Sequence, residues 1–253
     1  MSAAAFFDLD RTLLRRSSAL ALAGSFRDRG LISRRQLAQA ALWQLLFVLR
    51  GASHEAVRHA AEDGLVILRG FTPDKMRQLV AEAMEPILQP LLYAEPLQLV
   101  EQHRERGDCV YIVSATLQEI VQAIADELGF DGALGTQCEV LDGAYTGKAV
   151  RALHAENKAE CVRELAASRG FDLAECTAYS DSHTDVPFLE AVGHPVVVNP
   201  DRKLRHIAAV RGWPVLEFRA SAYPHARRRV PPPAWALLAL AGAGLAARRR
   251  RGS

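Results

Sequence analysis

The chain has 253 residues, 49% of them hydrophobic, with 31 Lys and Arg against 29 Asp and Glu and only 4 Cys, which excludes disorder, a collagen-like repeat and a cysteine-stapled mini-protein. Seven of the arginines and no acid lie after Pro224, so the body before them holds 24 basic against 29 acidic residues. That balance argues against a nucleic-acid-binding body and confines any attraction to anionic surfaces to the tail.

At roughly 100–200 residues per domain the length allows one elaborated domain or two, and the pattern reads as a core plus an insertion. Residues 3–7 (AAAFF) are a short apolar run that ends abruptly in Asp-Leu-Asp, a buried strand delivering carboxylates at its C-terminal end. Residues 16–90 then show almost no strand signal but good helix punctuation. Ser33-Arg-Arg-Gln36 resembles a capping box, Ser53 precedes another helical run, and Thr72-Pro73 reads as an N-cap followed by Pro at N1. The segment is expected to be a bundle of about four helices acting as a lid, with the core formed by residues 1–15 and 91–223. Further apolar runs at 110–113, 177–179, 196–198 and 215–218 alternate with helical patterns at 117–128 and 156–168. Strands alternating with helices of this length imply parallel crossovers, hence an open, doubly wound α/β sheet of Rossmann-like type with its ligand crevice at the strand C-termini. Residues 137–147 (QCEVLDGAYTG), with Asp142-Gly143 at the centre, predict a hairpin. Cys109, Cys138, Cys161 and Cys176 show neither a CxxC nor a His at zinc-ligand spacing and read as ordinary buried thiols. Residues 1–10 lack a basic start and a long apolar stretch, so no secretory signal is read and a cytoplasmic location is expected.

Four motifs fall at the predicted crevice. Asp8 and Asp10 leave the first strand two residues apart; one carboxylate can attack phosphorus while the other protonates the leaving oxygen and then deprotonates water, and the bland alternative is an Asx turn. Ser114 ends the second strand, where its hydroxyl either meets an anion above a helix N-terminus or closes a local turn, and Thr116 with Glu119 reads as a capping box. Lys158 stands near the start of a helix in a chain with 4 Lys and 27 Arg; it is either a retained point charge or part of a solvated face. Asp181 and Asp185 follow the third of these strands, and Asp8 with Asp181 converging from separate strands suits Mg²⁺, which takes few protein carboxylates plus phosphate and water oxygens. Asp185 either ligates directly or orients the ligands, and His183 is either a base or an ordinary loop residue. Together these assemble the parts of metal-assisted phosphoryl transfer.

The order DxDxT at Asp8 to Thr12, Ser114, Lys158 and SDSxxD at Ser180 to Asp185 resembles the haloacid dehalogenase (HAD) superfamily. The helical insertion is similar to that of its C1-capped, phosphoserine-phosphatase-like branch, subfamily IB. The resemblance implies a Mg²⁺-dependent phosphomonoester hydrolase with Asp8 as nucleophile and Asp10 as general acid and base. Ser114, with Thr12, Ala115 and Thr184, would bind the phosphoryl oxygens, and Lys158 would neutralise charge on Asp8 and the phosphate. Asp8, Asp181, the backbone carbonyl of Asp10 and Asp185 would serve the metal. Phosphoserine phosphatases carry a Glu where Ser17 stands, so L-phosphoserine is not the expected substrate. Arg11 replaces the usual Gly or Ser, and Thr184 the usual Asn. The competing readings are a phosphotransferase of the same mechanism and a non-catalytic membrane-associated adaptor. On this reading Lys158→Ala loses activity with little loss of folding.

Residues 40–49 (AALWQLLFVL) read as a helix apolar all round, either the centre of the bundle or a patch suited to a phosphorylated small molecule with an apolar portion. In the tail, 14 apolar residues at 234–247 lie between Arg clusters. As a helix they would reach about 21 Å, short of a hydrocarbon core of roughly 30 Å. The tail is expected either to lie on an anionic membrane surface or to hang as a weakly helical appendage, and nucleic acid is not an expected partner.

Overall fold

The computed structural model describes residues 2–28, 65–66 and 68–223. The candidate caps at Ser33 and Ser53, the apolar stretch 40–49 and the Arg-rich tail lie outside the described residues. Seven strands form one sheet in the order β4-β3-β2-β1-β5-β6-β7. They are β1 (Ala4–Phe7), β2 (Cys109–Leu117), β3 (Gly132–Leu141), β4 (Ala144–Arg151), β5 (Thr177–Ser180), β6 (His194–Val198) and β7 (Val215–Leu216). All pairings are parallel except β3 with β4. The α/β doubly wound reading is therefore correct. From β1 the chain winds outward to β2 and β3 on one side, then returns to β5, β6 and β7 on the other. β1 is thus the switch point, where an open α/β sheet leaves a crevice beyond its strand C-termini.

Both faces of the sheet are covered, as parallel strands require. Successive side chains of β1 point to opposite faces. Phe7 joins a cluster with Val100, Ile120 and Ile124, from α3 (Ala94–Glu105) and α4 (Gln118–Glu127). Phe6 joins Val162, Phe188 and Leu204, from α5 (Glu156–Arg169), α6 (Val186–Glu190) and α7 (Arg202–Arg211). Of the inserted segment, α1 (Ser18–Asp28) buries Leu22 and Phe26, and α2 (Pro73–Ala83) buries Met76, Leu79, Val80 and Ala83, all in the same cluster as Phe7. Thr72 caps α2, accepting from Lys75 N at 3.2 Å, and Pro73 occupies the first turn, as its sequence predicts. Where the chain leaves and re-enters the core, the two connections run side by side, with Tyr93 N donating to Leu13 O at 3.0 Å and Arg15 N to Leu91 O at 2.8 Å. Among the described residues no helix is long and apolar enough to cross a membrane.

Two sequence expectations need correction. Thr116 does not cap a helix: β2 continues to Leu117, α4 begins at Gln118, and Leu117 stands at the cap without a side-chain bond. Thr116 Oγ1 instead lies 3.1 Å from Ser18 Oγ at the start of α1. The strand outlasts its apolar run because residues beyond Val113 still pair, Leu117 opposite Thr136 on β3. The thiols are also less uniform than expected, since Cys161 and Cys176 are buried but Cys109 and Cys138 only partly so. The hairpin does form, with Asp142 at φ 50° and Gly143 at φ 79°, both left-handed as a two-residue turn with the strands' twist demands.

Gly193 fixes the approach to β6. A Cβ there would meet the Ala174 carbonyl oxygen at 1.8 Å, and that backbone cannot yield cheaply because Gly193 N also donates to Leu173 O at 2.8 Å. Gly193→Ala is expected to destabilise by about 2–4 kcal/mol, lowering the melting temperature by roughly 5–10 °C, which a thermal melt checks.

Candidate active site

The β1–β5 register sets Phe7 opposite Tyr179, and Asp8 N extends the ladder by donating to Tyr179 O at 2.9 Å. Phe7 and Tyr179 stack with centroids 4.4 Å apart and planes 7° from parallel, which locks the two strand ends together. Asp8 therefore emerges beside Ser180, with Asp181 one residue on. Both acids are buried, 7% and 4% exposed, so water does little to separate their charges.

Lys158 reaches the same point from the first turn of α5. Its Nζ donates to Asp8 Oδ1 at 2.7 Å and Asp185 Oδ2 at 2.6 Å, and lies 4.7 Å from the centre of the Phe188 ring. At 2% exposure it is no solvated helix face. Burial, the largest influence on this ammonium, works against its charge, but Asp185 and Asp8 together outweigh it and hold its pKa above the usual lysine value. Ser180 Oγ donates to the same Asp185 oxygen at 2.7 Å. Asp185 thus fixes Lys158 and the strand end at once.

Asp8 is pushed up to about 7, chiefly by burial and against the pull of Lys158. Asp181 is pushed up to about 8 by burial and then by the charge of Asp8, with Arg11 opposing. Asp10 is half-buried and accepts from Ser18 N at 2.7 Å, at the N-terminus of α1. Burial raises its carboxyl above the ordinary range although that bond opposes the shift. A carboxyl that keeps its proton more tightly than usual suits a general acid.

Around these acids, Ser114 is 2% exposed and its Oγ accepts from Thr116 N at 3.2 Å. Ala115 is exposed, and its carbonyl accepts from Thr136 Oγ1 at 2.7 Å. Thr12 is fully buried, and among the described residues its Oγ1 has no partner. Thr184 is partly exposed and shares a hydrogen bond of 2.9 Å with Ser182. The structure joins Asp8 and Asp185 through Lys158, sets Asp181 just past the end of the adjacent strand β5, holds Asp10 on the loop that leaves β1, and sets Ser114 on β2.

Two arrangements were not legible in the sequence. His183 Nδ1 lies 2.7 Å from Asp201 Oδ2, and Asp201 also caps α7 by accepting from Leu204 N at 2.8 Å. The backbone carbonyl of Asp181 accepts from Asp201 N at 3.0 Å, so the loop after β5 is pinned from β6. The second is Arg11, left-handed at φ 65°, with Nε 3.4 Å from Asp181 Oδ2. The only sequence signal for it was a bulky cation between two functional positions.

The carboxylates of Asp8 and Asp181 stand at the ends of the neighbouring strands β1 and β5, with Asp10 two residues beyond Asp8. Among the described residues no three His, Cys, Asp or Glu side chains make a full ligand cluster. A small set of hard oxygen donors fits a Mg²⁺-type ion, which keeps water and phosphate oxygens in its remaining positions. The two raised carboxyls fit it too, because a divalent charge between them relieves both.

The haloacid dehalogenase-like hydrolase family profile matches residues 5–190, spanning all four motifs. The chain belongs to the haloacid dehalogenase-like hydrolase family. A probable phosphatase of Mycobacterium tuberculosis is 44% identical over 240 residues, covering 95% of this chain and 83% of that protein. A protein of the same organism named phosphoserine phosphatase is 37% identical over 254 residues, covering 99% and 82%. A solved structure from Bordetella pertussis, described as of unknown function, superposes with a TM-score of 0.76 at 30% identity, covering 85% of this chain and 98% of that one. These similarities place the HAD-family chain among the phosphatases.

Proposed function

We propose that this HAD-family phosphatase is a Mg²⁺-dependent phosphomonoester hydrolase that works through a phosphoaspartate on Asp8. The observation that carries the reading is the buried Asp8 carboxylate held by Lys158 at the sheet's switch point, one strand away from Asp181. Asp8, Asp181 and the Asp10 carbonyl would hold the metal, which when bound supplies positive charge for the phosphoryl oxygens.

The remaining work falls to the chain. Asp8 attacks phosphorus while Asp10 gives its proton to the departing ester oxygen, leaving an aspartyl phosphate and a free alcohol. Asp10, now a carboxylate, takes a proton from the incoming water, whose oxygen displaces Asp8 and releases inorganic phosphate. Lys158 offsets the charge that grows on Asp8 and the phosphoryl group, held in place by Asp185. Ser114, Thr12, the Ala115 backbone and Thr184 would take up phosphoryl oxygens; the unpartnered Thr12 Oγ1 supports its part in this. Of the inserted segment, α1 and α2, flanked by the paired connections at Leu13 and Tyr93, would help to keep water from the substrate. The substrate is a small phosphorylated metabolite, with Ser17 arguing against L-phosphoserine.

Chelation tests the metal. Treatment with EDTA is expected to lower phosphate release by about 100-fold or more, with recovery on adding Mg²⁺. Mg²⁺ is also expected to raise the melting temperature of the wild-type protein, because it binds the folded state and relieves Asp8 and Asp181. Full activity in EDTA, with no thermal shift on adding Mg²⁺, would show that the site works without a metal.

A further inference from the structure

Arg11 is built into the site at a cost. A side chain at φ 65° pays strain that glycine would avoid, and such strain persists where surrounding structure holds it for a purpose. It sits between Asp10 and Thr12, and its side chain is 64% exposed while that of Asp181, 3.4 Å away, is 6% exposed. That approach is made by Nε and is an ion pair only; among the described residues Arg11 makes no hydrogen bond. Among the described residues, the neighbouring nitrogen-bearing side chains Lys158 and His183 are already engaged. Lys158 is held by Asp8 and Asp185, and His183 is held by Asp201. Arg11 keeps its planar fork of donors unused at the solvent edge of the acids, the geometry that reads a carboxylate or phosphate in bidentate fashion.

We propose that Arg11 is a specificity-determining residue that binds a second anionic group, carboxylate or phosphate, on the phosphomonoester substrate. The inference rests on the reading of Asp8 as the nucleophile. An ester bound at Asp8 lies beside Asp181, and its far end leaves toward solvent past the exposed guanidinium. Asp181 in turn keeps Arg11 from folding back over the nucleophile.

The test compares three esters on the same two-carbon frame with Mg²⁺ present: ethyl phosphate, phosphoglycolate and ethylene glycol bisphosphate, with p-nitrophenyl phosphate as a general probe. The wild-type protein is expected to favour one or both acid-bearing esters over ethyl phosphate by about tenfold or more in kcat/KM, the difference lying in KM. Which of the two is favoured tells carboxylate from phosphate. Arg11→Gln is expected to bring the ratio close to one, and Arg11→Lys to keep part of it. Arg11→Gly should also lose the preference yet melt higher, since the strain goes with the side chain. A wild-type ratio near one, or a ratio retained in Arg11→Gln, overturns the proposal while the phosphatase reading stands. A ratio unchanged in Arg11→Gln together with tighter Mn²⁺ binding by calorimetry overturns it in favour of a simple counter-ion to Asp181. Failure of the wild-type protein on all four esters falls on the phosphatase reading instead, and the proposal goes with it.

Discussion

Asp8→Asn is expected to stay folded and to release phosphate from any ester at least about 10⁴-fold more slowly than the wild-type protein. The amide keeps the shape of the carboxyl, and its oxygen can still accept from Lys158 Nζ, which lies 2.7 Å from Asp8 Oδ1. What it loses is the charged oxygen proposed to attack phosphorus. No neighbour can take over, because Asp185 is held by Lys158 and Ser180, and Asp10 is turned toward Ser18 N. Phosphate release measures the loss, and acid-quenched reactions with a labelled ester should trap label on the wild-type protein but none on the variant. The stability effect has the opposite sign. The folded-state value of Asp8, about 7, lies above the ordinary carboxyl value, so folding favours its protonated form, and the cost of ionising it grows as pH rises from about 4 to 7. In metal-free buffer the melting temperature of Asp8→Asn relative to wild type should therefore improve over that window. Turnover at the wild-type rate would end the nucleophile assignment.

The strands were legible because each carries an uninterrupted apolar run, and a parallel strand buried on both faces has no polar face to break it. The first half of β3 was missed for the same reason: residues 132–136 (GALGT) carry too little apolar side chain to read as a strand, although they pair with β2 from Tyr111 to Leu117. The acids at strand ends were readable as a spacing pattern, since Asp8 follows its apolar run directly and Asp181 follows its own after Ser180 alone. Lys158 was not readable as buried. Glu156, Asn157 and Glu160 surround it in sequence as they would on a solvated helix, and only the packing of α5 against β2 and α6 turns it inward to Asp8 and Asp185. Thr116 misled for the converse reason. A capping box is a local signal, and here the pairing of β2 with β3 overrides it. The hold of Asp201 on His183 joins residues 18 apart through a strand, so no local pattern could announce it.

That burial changes what Lys158→Ala should do. A surface lysine would cost little folding energy, as its sequence surroundings suggest, whereas here the substitution leaves Asp8 and Asp185 facing each other without the ammonium between them. Breaking a buried ion pair by removing one partner typically costs about 3–5 kcal/mol, which for a chain of this size is a fall of roughly 10 °C in melting temperature. The wild-type ammonium is held above its ordinary pKa, so its stabilising contribution is fully present below the unfolded lysine value and fades only as alkaline pH passes through the folded value. The variant differs at the other end of the scale. With Lys158 gone, burial and the charge of Asp185 act on Asp8 without the ammonium that opposed them, so Asp8 is easiest to accommodate when protonated. The deficit against wild type should therefore be smallest near pH 4 and widen toward neutrality. Mg²⁺ should recover part of the stability by supplying charge at Asp8, but not the activity, because Asp185 would have lost the group it orients. Melts at pH 4, 5.5 and 7 with and without Mg²⁺, beside phosphate release, separate these effects. A deficit independent of pH would mean that the loss comes from packing against Phe188 and not from the charges.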